Sequence, residues 1–142
     1  MLLNQKIQAL IVDDDPLTNA FNKALLSRND SFDDIVTITS GEDALQFLKN
    51  QLATTGSIPD VILVDVYMPN MDGFEFIEKL DHFLFKHEKE KEIEVNILSS
   101  TSIEEDILKF VQSSLANKFI LKPLNDIKLE ELIKRIETRR WN

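Results

Sequence analysis

The stretch Val61-Ile62-Leu63-Val64-Asp65-Val66-Tyr67-Met68-Pro69-Asn70-Met71-Asp72-Gly73-Phe74 decides the fold. Its first four residues are apolar, the fifth is a carboxylate, and a turn-forming Met-Pro-Asn-Met-Asp-Gly segment follows. A short unbroken apolar run, with Pro59 before it and Pro69 after it, predicts a strand covered on both faces, as in a parallel sheet. Asp65 then stands where the strand leaves the sheet, the edge at which ligands and reactive groups of open α/β sheets collect. A lone Asp in that place is commonly a loop cap. A second segment of the same kind weighs against that reading: residues 7–12 are apolar and end in Asp13, Asp14 and Asp15.

Outward from these two segments, strands and helices alternate. Pro16 suits the first turn of a helix that carries Leu17, Ala20, Phe21, Ala24 and Leu25 at helical spacing, read as its core face. Residues 35–38 form a β-branched strand, and Ser40 caps a second helix with Ala44, Leu45 and Leu48 inward. Residues 50–58, polar and small, read as a loop. A third helix follows Gly73 with Phe74, Ile77, Leu80 and Leu84 inward, and residues 87–92 read as a solvated connection. Residues 95–98 make a fourth strand, interrupted by Asn96 and delivering Ser99 at its end. Residues 103–115 make a fourth helix whose Glu104, Glu105 and Asp106 suit its positive terminus. Residues 119–121 are a fifth strand ending in Lys122-Pro123. Asn125 or Asp126 caps a last helix with Leu129, Leu132, Ile133 and Ile136 inward.

This alternation predicts βαβ units and one doubly wound parallel sheet of five strands with helices on both faces. The 142 residues suit one domain, and the lack of cysteine excludes disulfides and thiolate sites. No apolar run is long enough for a signal peptide or a membrane span, so a soluble cytoplasmic protein is expected. A net charge of −9 argues against direct nucleic-acid binding and suits a divalent cation and basic or apolar partner surfaces. His82 and His87, five apart, read as surface residues, and the basic residues of the last helix suit its C-terminus.

The polar residues carry the chemistry. Strands one, three, four and five end in Asp13-Asp14-Asp15, Asp65, Ser99 and Lys122, and in a parallel sheet these ends share one edge. Crowded carboxylates must protonate, separate or hold a cation. An all-oxygen donor set with no His or Cys nearby favours Mg²⁺ or Mn²⁺. A carboxylate beside such a metal can attack phosphorus, with Ser99 and Lys122 of the right type to stabilise the developing charge.

These residues resemble the receiver domain of a two-component response regulator. The likeness rests on LIVDDDP at 10–16, VDVYMPNMDGFEF at 64–76, ILSS at 97–100 and FILKP at 119–123. The resemblance implies a flavodoxin-like receiver fold with strand order 2-1-3-4-5, a single receiver domain over 1–142 and no output domain. It implies Asp65 as phosphoacceptor, and Asp13, Asp14, Asp65 and the backbone carbonyl of Tyr67 as metal ligands, with Asp14 direct and Asp13 acting mainly through water. Ser99, Phe119 and Lys122 take the switch and phosphate-binding places, and Pro69 and Gly73 shape the loop. The implied partners are a histidine kinase or histidine phosphotransfer protein and a downstream protein target. The implied switch surface is the fourth helix, fifth strand and fifth helix of a monomer or weak phosphorylation-dependent dimer. Such a chain is no enzyme in its own right, although it assists its own phosphorylation and dephosphorylation.

Three departures stand out. Phe119 replaces the commoner Tyr, Ser-Ser-Leu-Ala-Asn-Lys at 113–118 lacks the usual small Gly pair, and Tyr67 is bulky for its place. The Tyr67 ring is expected to hinder an attacking water and lengthen the phosphorylated lifetime. Two rival readings are a haloacid dehalogenase-like Mg²⁺-dependent phosphatase, through Asp13-x-Asp15, and a phosphorylation-independent interaction module. Leu17 stands where the phosphatase motif wants Thr or Val, and a bare fold needs none of the five polar residues.

Overall fold

Every residue of β3 (Val61–Asp65) is buried, as expected for a strand without alternation. In the computed structural model, which describes residues 5–113 and 115–141, it is the middle of a parallel sheet ordered β2-β1-β3-β4-β5. The other strands are β1 (Ile7–Val12), β2 (Phe32–Ile38), β4 (Glu94–Ser99) and β5 (Ala116–Leu121). The helices are α1 (Pro16–Ser27), α2 (Gly41–Thr55), α3 (Gly73–Lys86), α4 (Glu104–Gln112) and α5 (Asp126–Trp141).

Side chains of the inner strands alternate between two cores, since successive residues of a strand point to opposite faces. Leu10, Val12, Ile62 and Val64 join Ala44, Leu48, Phe76 and Leu80 of α2 and α3. Ala9, Ile11, Val61 and Leu63 join Leu25 and Leu26 of α1 and Leu129, Leu132, Ile133 and Ile136 of α5. Both cores are needed because a parallel sheet has no face to leave in water.

Four local expectations are corrected. Of the face assigned to α1, only Leu25 is buried; Leu17, Ala20, Phe21 and Ala24 lie outward, and Asn19, Asn22 and Leu26 turn inward. The Asn19 amide explains the rotation, donating to the carbonyls of Asp13 at 2.9 Å and Ile38 at 3.3 Å. Residues 50–55 continue α2 rather than forming a loop, and Gly56 ends the helix in the left-handed conformation at φ 75°. The hydroxyls of Thr54 and Thr55 bond back to the carbonyls of Asn50 and Gln51, so this polar stretch is a solvent-facing turn of helix. β2 and β5 each begin three residues earlier than the apolar runs suggest, and α4 stops at Gln112. Phe76, not Phe74, is the fully buried aromatic of α3.

Asn96 has a clear role. It is fully buried, its Nδ2 donates to Glu94 at 3.1 Å, and its Oδ1 accepts from Arg135 at 2.8 Å. Arg135 also reaches Glu94 at 3.0 Å, and Arg140 pairs with Asp60 at 3.2 Å. The arginines of α5 thus serve specific acids at the amino edge of the sheet. His82 and His87 are exposed, as the sequence suggests.

Candidate functional site

β1 and β3 run side by side with Val12 opposite Val64, so the residues that follow, Asp13 and Asp65, emerge together at the carboxyl edge. Lys122 arrives there because its backbone N–H donates to the Ser99 carbonyl at 2.7 Å, carrying the β4–β5 ladder one residue further. Its ammonium lies 2.8 Å from Asp13 Oδ2 and 2.8 Å from Asp65 Oδ1. Asp13 and Asp65 are buried at 2% and 8% exposure, and Asp14 faces solvent. One carboxylate oxygen from each of Asp13, Asp14 and Asp65 lies within 4.8 Å of the others.

Three carboxylates therefore face one ammonium. Burial raises the Asp65 pKa above the ordinary carboxylate value; the hydrogen bond from Lys122 opposes this, and the charges of Asp13 and Asp14 add to it. For Lys122, burial favours the neutral amine, but the hydrogen bonds and charges of Asp13 and Asp65 outweigh it, so its pKa is raised. The cluster is short of positive charge, and its donors are hard oxygens with solvent on the Asp14 side. That donor set fits a divalent cation of the Mg²⁺ type, which keeps several waters and takes one or two carboxylates.

The loop after Asp65 is tightly specified. Gly73 N–H donates to the Val66 carbonyl at 2.7 Å, and a Cβ on Gly73 would collide with the Asp65 carbonyl oxygen. Pro69 accepts from the Met71 N–H at 2.8 Å, and Asn70 between them takes a positive φ of 69°. Asp72 and Glu75 form a capping box that opens α3.

The other sequence-derived residues reach the same region in different ways. Ser99, fully buried at the end of β4, donates its hydroxyl to the Thr101 carbonyl at 2.7 Å and accepts from the Thr101 N–H at 3.2 Å. Phe119 is half-buried on β5 and packs edge-on against Phe110 of α4, with ring centroids 5.8 Å apart. Tyr67 is exposed, and its hydroxyl donates to Oδ2 of Asp106. Asp106 is the one buried residue of α4, and its hydrogen bond, aided by partial burial, raises the Tyr67 pKa. Asp15 stays out of the cluster: it caps α1, accepting from Leu17 N at 3.1 Å and Thr18 Oγ1 at 2.8 Å. Those bonds hold its pKa below the ordinary value.

Asn19 carries no signal in the sequence, and Asp106 stands out there only as one of three acids at the start of α4. Neither belongs to a periodic pattern, and each acts through a contact with a segment distant in sequence.

The profile of the response regulator receiver domain matches residues 9–136. The chain belongs to this family of two-component signalling modules. It is similar to a protein-glutamate methylesterase/protein-glutamine glutaminase of Clostridium acetobutylicum, 32% identical over an alignment that covers 93% of this chain and 36% of that protein. It is also similar to the probable C4-dicarboxylate response regulator DctR of Bacillus subtilis, 25% identical over 92% of this chain and 50% of that protein. The chain thus spans half or less of the length of these curated relatives. A two-component response regulator from Cytophaga hutchinsonii shares the fold at a TM-score of 0.83 and 29% identity, over 94% of this chain and 99% of that one. Among the described residues no helix is long and apolar enough to cross a membrane.

Proposed function

We propose that Asp65 accepts a phosphoryl group from the phosphohistidine of a kinase or phosphotransfer protein. The observation that carries this is the bridging of Lys122 between Asp13 and Asp65 while Asp14 stands beside them in solvent. One Asp65 oxygen bonds to phosphorus as the phosphorus–nitrogen bond breaks, and the donor imidazole leaves with that electron pair. Lys122 holds Asp65 in place beforehand and then pairs with a phosphoryl oxygen, a charge-assisted contact of the strong kind. Gly73 and the Pro69 turn fix the acceptor's backbone. Asp13, Asp14, Asp65 and the Tyr67 carbonyl would hold Mg²⁺, which supplies positive charge to the phosphoryl oxygens when bound. Asp13 already spends Oδ2 on Lys122 and Oδ1 on the Asp15 N–H at 2.9 Å, which supports Asp14 as the direct ligand.

The switch follows from hydroxyl and ring. Ser99 gives up Thr101 to bond the phosphoryl group, and Phe119 leaves Phe110 for the space vacated. The change reaches α4, whose Ile107, Leu108 and Val111 are exposed, as is the preceding Ile103, and suit an apolar target surface. On the donor side, Leu17 at 79% exposure and Phe21 at 57% flank a cleft beside Lys122 and Pro123, a surface suited to a helical phosphohistidine donor. The phosphatase alternative loses its second carboxylate, since Asp15 is committed to capping α1.

Acetyl phosphate with Mg²⁺ should add the mass of one phosphoryl group, lost in Asp65→Asn and on chelation of the metal. Phosphate mapped to Asp13, or an unchanged mass, overturns the assignment.

A further inference from the structure

A groove between the C-terminal halves of α2 and α3 lies outside all of these surfaces. It encloses about 720 Å³, with Leu45, Leu52 and Phe83 at its base and Lys49, Lys79 and Lys86 on its walls. His82 and His87, the only histidines of the chain, also line it, and the His87 ring leans on Phe83 at a centroid distance of 4.9 Å. Among the described residues no acid lines the groove, although Asp and Glu outnumber Lys and Arg by 25 to 16 in the chain. The acids of α3, Glu75, Glu78 and Asp81, face the opposite groove, toward α4. None of the three lysines forms an ion pair among the described residues.

We propose that this groove docks an acidic, leucine-bearing segment of a partner protein. Lys79 and Lys86 stand two helical turns apart, about 10 Å along the axis, so they address separate carboxylates rather than chelating one small anion. That span matches about three residues of extended peptide. The apolar base between the ammonium groups gives a leucine somewhere to leave water. A nucleic acid would need a longer run of cations than three lysines on a surface of net charge −9. Opposite charge across the groove would speed encounter and set register, and salt would weaken it.

The test is fluorescence anisotropy of the full chain with a labelled synthetic peptide that alternates glutamate and leucine, beside its glutamine counterpart. The glutamate peptide binds, more weakly as salt rises, and the glutamine peptide does not. The triple variant Lys49→Glu, Lys79→Glu, Lys86→Glu weakens binding at least about tenfold with an unchanged thermal midpoint, and Lys79→Gln gives a smaller loss of the same sign. Reversal of the exposed Lys23, Lys118 and Lys134 leaves binding intact. Equal loss in that remote triple, absence of binding at low salt, preference for polyphosphate or single-stranded nucleic acid, or self-association through the groove each overturns the proposal. The groove triple still gains phosphoryl mass from acetyl phosphate, so the docking and the phosphoacceptor readings fail separately.

Discussion

The two edges of the sheet treat buried acids in opposite ways. At the amino edge, Glu94 is 2% exposed and meets Arg135 at 3.0 Å and Arg139 at 3.9 Å, with Asn96 closing the network. At the carboxyl edge, Asp13 and Asp65 are buried to a similar degree, yet they share one lysine with each other and crowd against Asp14. Burial is common to both, and compensation is not. A satisfied buried acid is part of the scaffold, whereas an undercompensated cluster is held ready for charge that arrives from outside.

The sharpest way to break this contrast is to unbalance the amino edge. Arg135→Ala leaves Glu94 with the Asn96 amide and one distant cation, Arg139, and Asn96 with an unmet acceptor, and should cost about 3 kcal/mol in urea unfolding. A cost near zero would mean that the network is no scaffold. The carboxyl edge should respond with the opposite sign: Asp65→Asn removes crowded charge and should stabilise the apo protein by about 1 kcal/mol while abolishing stabilisation by Mg²⁺.

The pH dependence has the same origin. Because the folded pKa of Asp65 is raised, the fold favours its neutral form; that contribution is complete below the ordinary value of 3.8 and is lost as pH rises through the raised value. The gain in thermal midpoint on adding Mg²⁺ should therefore grow over that window in the parent and stay flat in Asp65→Asn. The smallest effect concerns Tyr67, whose raised pKa contributes stability that is complete below the ordinary value of 10.0 and is lost as pH rises through the raised value. As the chain's sole tyrosine, it can be titrated by ultraviolet difference spectra, and Asp106→Asn should bring its ionisation back down.

The same contrast explains how much was readable in advance. β1 and β3 were legible because unbroken apolar runs ending in acids have few interpretations, and their parallel pairing then brings Asp13 beside Asp65 without further information. Lys122 followed from the same logic at β5. The amino edge was opaque: Asn96 looked like a flaw in a strand, and Arg135 like a helix-end charge, because the partner of each lies about forty residues away. α1 misled for another reason. Helical periodicity reports an apolar stripe but not what covers it, and the stripe at Leu17 and Phe21 is left bare. Asp106 resembled its acidic neighbours Glu104 and Glu105, and only Tyr67 distinguishes it.

The main-chain bond from Lys122 to Ser99 has a mechanical corollary. It staples the last rungs of β4 and β5, which resists a slip of one residue past the other. Under the proposed phosphorylation, the switch would then work through side-chain torsions of Ser99 and Phe119 on strands that hold their pairing.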